Sequence, residues 1–150
     1  MYKHILIPTD GSELAELGVD HGLALARALG AHVTLVAVTY PYREMPAEAV
    51  PLQGLQEIYE REVRARAEAW LARAAEKGRA AGVPCRTLVR QASQPYEAIA
   101  KVLAEQGCDL VVMSSHGRGG LNAVILGSQT RKLLAHSPAP VLVVRQAARE

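Results

Sequence analysis

Two short stretches of this 150-residue chain carry residue types suited to holding an anion. The first is Ser114-Ser115-His116-Gly117-Arg118-Gly119-Gly120; the second, ten residues beyond Gly117, is Gly127-Ser128-Gln129-Thr130. Glycines lack a Cβ, so Gly117, Gly119 and Gly120 let backbone come close to a ligand. The second stretch reads as a helix start. Free N–H groups and the positive dipole end there favour an anion by roughly 0.3–1 kcal/mol when exposed and up to about 2 when partly buried. Phosphates are the obvious guests. Pro8-Thr9-Asp10-Gly11-Ser12, directly after an apolar run, adds a carboxylate and small hydroxyls.

Positioning such loops requires strands and helices in alternation. Ile5-Leu6-Ile7 is a short apolar run, and helical spacing over Leu14, Leu17, Gly18, His21, Leu25 and Ala28 predicts a helix from Glu13 to Leu29, stopped by Gly30. Val33 to Tyr40 reads as a buried β-branched strand. Pro41 to Gly54, with Pro41, Pro46 and Pro51, reads as a long, mobile loop. A helix from Leu55 to Ala81 follows, with Glu57–Arg61, Glu60–Arg64 and Glu62–Arg66 spaced for i,i+4 pairing on what reads as a solvated face. Cys85 to Val89, a helix from Ser93-Gln94-Pro95 to Gly107, Asp109 to Met113, a helix from Ser128 to His136 and Val141 to Val144 complete the pattern. Five apolar strands separated by helices imply a single α/β domain, a five-stranded parallel sheet with helices on both faces. Ligands bind such sheets beyond the carboxyl ends of the strands. That is where Pro8–Ser12, the strand end near Val38 and Ser114–Gly120 fall.

Better-known phosphate motifs do not account for these residues. No Gly-Lys-[Ser/Thr] run exists for a Walker loop, and G-x-G-x-x-G fails at Asn122 and follows the fourth strand instead of the first. A phospho-acceptor receiver domain would explain Asp10 but not Arg90-Gln91 or Arg145 where its acceptor Asp and Lys belong.

Met113-Ser114-Ser115-His116-Gly117-Arg118, Ile125-Leu126-Gly127-Ser128, Pro138-Ala139-Pro140-Val141-Leu142-Val143-Val144 and the opening Ile5-Leu6-Ile7-Pro8-Thr9-Asp10-Gly11-Ser12 closely resemble the universal stress protein family over essentially the whole chain. Nucleotide-binding members carry G-x2-G-x9-G-[S/T]; here the spacing is Ser114-x2-Gly117-x9-Gly127-Ser128, with Ser replacing the first Gly. The resemblance implies an adenine nucleotide alpha hydrolase-like, Rossmann-like three-layer sandwich that binds ATP, or ADP or AMP, with Mg²⁺ held through the phosphates. It places Pro8, Thr9, Asp10 and Val38 at the adenine and ribose, and Met113, Ser114, His116 and Gly117 around sugar and phosphates. Gly127, Ser128, Gln129 and Thr130 would supply backbone and hydroxyl donors to the phosphates. It also implies a homodimer paired through the Val141–Val144 edge.

Plainer roles stand beside these. Asp10 also suits a helix cap, Gly119 and Gly120 turn geometry, and His116 a pocket wall or backbone-bonded position; Arg118 is a surface cation within reach of a phosphate. His21, His136 and Trp70 read as packing or surface residues. Three functional classes remain: a nucleotide-dependent regulatory or stress-response protein, a slow ATPase, and a nucleotide-free dimeric interaction module. Ser114 favours the last; Gly117 and Gly127-Ser128 count against it.

Composition narrows the partners. Seventeen Lys and Arg against fifteen Asp and Glu give a net charge of +2, which argues against a nucleic-acid surface. Residues 107–150 hold five basic and two acidic residues, a net of +3, leaving twelve and thirteen, a net of −1, in residues 1–106. That small local excess suits one small anion. Cys85 and Cys108 fit neither a zinc cluster nor a disulfide framework, and no run of 18 apolar residues occurs, so a reduced, cytoplasmic protein without a membrane span is expected.

Overall fold

Continuous runs of Ile, Leu and Val bury both faces of a strand, while apolar residues at helical spacing bury one. In the computed structural model, which describes residues 1–42, 54–116 and 126–146, these runs become β1 (His4–Pro8), α1 (Glu13–Leu29), β2 (His32–Thr39), α2 (Leu55–Ala80), β3 (Cys85–Gln91), α3 (Pro95–Gln106), β4 (Leu110–Ser114), α4 (Ser128–His136) and β5 (Val141–Val144). The strands form one parallel sheet in the order β3-β2-β1-β4-β5.

Alternation along each strand divides the core into two layers. Ile5, Ile7, Val33, Leu35, Leu110 and Val112 pack with Val19 and Leu23 of α1 and Leu71 of α2. Leu6, Val36, Val111 and Met113 point to the other face, against Ile99, Val102 and Leu103 of α3 and Leu133 of α4. Close approach of α1 to the sheet depends on Gly18, where a Cβ would lie 3.0 Å from the Ser114 amide nitrogen. Ser12 caps α1 by accepting from the Ala15 N–H at 3.1 Å, and Gly30, at φ 68°, ends it.

Strand limits differ from the sequence reading by one or two residues. Pro8 is the last residue of β1, in register with Val36; β2 stops at Thr39; β3 continues to Gln91. Proline is tolerated at a strand's end, where one donor fewer matters little. On α2 the expected Glu-to-Arg pairs give way to Arg64 with Glu68 at 3.0 Å, an exchange that costs little because each exposed pair contributes only about 0.3–0.5 kcal/mol. Lys77 instead reaches α1, at 2.6 Å from Glu16 and 2.8 Å from Asp20. Most of the expected loop after Tyr40 lies outside the described residues. Among the described residues no helix is long and apolar enough to cross a membrane.

Candidate functional site

From β1 the chain moves to β2 on one side, and only later to β4 on the other. Connections leaving β1 and β4 therefore diverge, and a cleft opens beyond their carboxyl ends. It measures about 440 Å³, a size that suits a nucleotide-sized guest.

The β1 side is a tightly bonded turn. Thr9 N–H donates to the Val36 carbonyl at 2.9 Å, Thr9 Oγ1 accepts from the Gly11 N–H at 3.2 Å, and Asp10 Oδ1 accepts from the Ser12 N–H at 3.0 Å. Asp10 thus shapes the turn before α1, while Ser12 is the cap itself. Gly11 adopts φ 77°, and a Cβ there would come within 2.3 Å of the Trp70 indole nitrogen. Both the conformation and the contact demand glycine.

The β4 side is held to α4 by hydrogen bonds across the intervening loop. Gly127 N–H donates to the Ser115 carbonyl at 2.9 Å, and Thr130 Oγ1 to the carbonyls of Ser115 at 3.2 Å and Ser114 at 3.4 Å. The Ser114 hydroxyl donates to the His116 carbonyl at 2.7 Å, and His116 Nδ1 lies 3.2 Å from Ser115 Oγ. Gln129 Oε1 accepts from the Tyr96 N–H at 3.0 Å, and its Nε2 donates to Gln94 Oε1 at 3.2 Å, joining α4 to the start of α3. The side chains of Thr130 and Gln129 are therefore bonded within the protein. What this helix start leaves open to the cleft is backbone N–H and the exposed side chain of Ser128. The first turn of α4 has no side-chain cap and no acidic residue, so neither a cap nor a carboxylate of that turn competes with an incoming anion.

Pro8, Thr9, Asp10, Val38, Met113, Ser114, His116, Gly127, Ser128, Gln129 and Thr130 all line this one cleft. Gly117 and Arg118, with Gly119 and Gly120, lie outside the described residues. His116 is only 8% exposed, and its ring is paired to Ser115. Tyr40, Tyr59, Val63, Arg66 and Trp70 also line the cleft, although sequence reasoning did not place them there. The spacing 59, 63, 66, 70 could have marked one face of α2, but its charges resemble those of any solvated helix.

Among the described residues no group of three or more His, Cys, Asp or Glu could hold a metal ion. Asp10 is the one carboxylate among the described residues of the cleft. A single carboxylate beside phosphate oxygens is a usual protein contribution to Mg²⁺, which keeps most of its waters. The residues present fit such an ion when phosphate accompanies it.

Known proteins share this fold. A universal stress protein of Thermus aquaticus is 33% identical over 145 residues, spanning 97% of this chain and all of that one. The solved structure of Methanocaldococcus jannaschii MJ0577 superposes with a TM-score of 0.84 at 28% identity, covering 99% of both chains. A structure of the Archaeoglobus fulgidus universal stress protein in complex with dAMP has the same fold, with a TM-score of 0.66 at 19% identity and coverage of 96% of this chain and 98% of that one. The model of the universal stress protein family matches residues 1–145, from the first strand to just beyond the last. Matched by that model over nearly its whole length and by a relative 33% identical across it, this chain belongs to the universal stress protein family.

Proposed function

We propose that the cleft binds an adenine nucleotide, ATP with ADP or AMP as alternatives, and that the protein is a nucleotide-dependent regulator of the stress response. The observation that carries this reading is the start of α4, uncapped and free of acidic side chains, sharing one cleft with Asp10. Phosphates take the N–H groups of Ser128, Gln129 and Thr130; Asp10 accepts from a sugar hydroxyl or helps hold phosphate-bound Mg²⁺. Ser114 is compatible with this, because its hydroxyl is bonded to the His116 carbonyl. The complex of a family member with dAMP supports the same ligand class. A homodimer through β5 belongs to the proposal: β5 ends the sheet, and Leu142 on it is 37% exposed. Mass analysis of ligand released from purified protein, followed by calorimetric titration with ATP, tests the reading. Bound nucleotide or saturable heat is expected; neither, at millimolar ATP, sinks it.

A further inference from the structure

Helix α2 carries two stripes with different partners. Ala67, Leu71, Ala74 and Gly78 are its buried residues, whereas Tyr59, Val63, Arg66 and Trp70 line the cleft. At 100° per residue the cleft stripe occupies an arc of about 60°, turned roughly 80° from the buried one. All the buried residues fall at Ala67 or beyond, so the first three turns or so of α2 project past the sheet as a wall of the cleft.

The side chains of that wall share a chemistry. The chain has five tyrosines, one tryptophan and no phenylalanine. Tyr40, Tyr59 and Trp70 line the cleft, and Tyr42 stands against Tyr59 with ring centroids 5.4 Å apart. A protein with so few aromatic rings has placed half of them around one opening. Tyr59 is fixed there, its hydroxyl donating to the Tyr40 carbonyl at 3.2 Å. Arg66 is the one lysine or arginine among the described residues of the cleft, and no described carboxylate lies within ion-pair distance of it. Guanidinium is planar, weakly hydrated and stacks on π faces, which an ammonium does not do.

We propose that Tyr59, Arg66 and Trp70 of α2 recognise the planar base of the ligand, so that α2 distinguishes a nucleoside from a bare phosphate chain while α4 takes the anion. This rests on nucleotide binding in the cleft and adds to it residues outside the Gly127-Ser128 motif region. Stacking on aromatic and guanidinium faces tolerates any purine and is insensitive to phosphate number.

Trp70, the single tryptophan, reports on the wall directly. Its fluorescence is followed during titration with ATP, AMP, adenosine and tripolyphosphate, with calorimetry in parallel. The three adenine ligands should quench it and tripolyphosphate should not. Arg66→Gln, at an exposed position and with an unchanged melting temperature, should weaken ATP, AMP and adenosine by one common factor of about five- to tenfold, and Arg66→Lys should not restore it. Tyr59→Leu should weaken the same three ligands, read by calorimetry. If Arg66→Gln weakens ATP but not adenosine, Arg66 is a phosphate clamp and the inference is overturned. Wild-type binding of ATP with all three variants unchanged overturns it too, leaving nucleotide binding intact. Failure of the wild type to bind any adenine ligand overturns both.

Discussion

Gly127 is the position where the proposed site is most open to attack by a single substitution. Its backbone, φ −60° and ψ 151°, is ordinary extended geometry, so a side chain there strains nothing by conformation. Space is the constraint: a Cβ would lie 3.2 Å from the Ser115 carbonyl oxygen and 3.5 Å from His116 Cα. That oxygen already accepts from the Gly127 N–H and Thr130 Oγ1. Alanine needs a shift of a few tenths of an ångström and should cost under about 1 kcal/mol of stability. Valine adds two stiff methyls that cannot both enter the wall formed by Ser115 and His116, so one stands over the start of α4. Losing two exposed-to-partly-buried contacts between N–H groups and phosphate removes about 2 kcal/mol, or roughly thirtyfold in affinity. Calorimetric titration with ATP, with melting curves for both variants, measures each effect. ATP affinity within twofold of wild type in a folded Gly127→Val protein would refute the placement of the phosphates.

Thr130→Val keeps the shape of a buried side chain but removes the hydroxyl that ties α4 to β4; chemical denaturation should show a loss of about 1 kcal/mol, and Thr130→Ser should recover most of it. At the opposite end of the sheet, the His4 and His32 rings stand 3.9 Å apart, and His4 Nε2 is 2.7 Å from Thr34 Oγ1. Burial, then the neighbouring His32, hold the His4 pKa below its usual 6.5, with Asp109 opposing. The unfolded chain therefore binds the proton more readily, so stability falls as pH drops through the window below 6.5. His4→Gln should flatten that slope in urea unfolding series, and an identical slope would show that His4 does not cause it. Leu142→Asp should convert a dimer to monomer in sedimentation velocity, and a wild-type monomer would remove the β5 pairing.

Strand and helix identities were legible because they depend on neighbours in sequence. The run Leu-Val-Val-Met-Ser of β4 is buried at every position, as a continuous apolar segment in a parallel sheet should be. Gly30 and Gly107 end their helices in the left-handed conformation. Roles that depend on distant residues were not legible. Thr130 reads as a hydroxyl for phosphate until β4 arrives beneath it, and Gln129 as part of the phosphate site until the Tyr96 N–H and Gln94 engage its amide. Trp70 reads as packing, and it does pack against the core, but Gly11 on another loop brings it to the cleft. Arg66 looked like one charge of a solvated face, since pairing order along a helix says nothing about which arc overhangs a cleft.

Charge at the helix starts favours α4, over the other described helices, as the place for the proposed anion. The first turn of α1 carries Glu13 and Glu16 and is capped by Ser12; those of α2 and α3 carry Glu57 and Glu97. Each of these carboxylates meets the positive end of its own helix and repels an incoming phosphate. α4 alone among the described helices begins with no acidic residue and no side-chain cap, and it is the one whose start lines the cleft. Its N–H groups would otherwise be satisfied by water, so with Gly127 at the cap position the protein forgoes about a few tenths of a kcal/mol of capping there. A helix start left uncapped on a surface would be a small defect. Left uncapped in a cleft with Asp10 and Arg66, it suits the proposed ligand, anionic at one end and planar at the other.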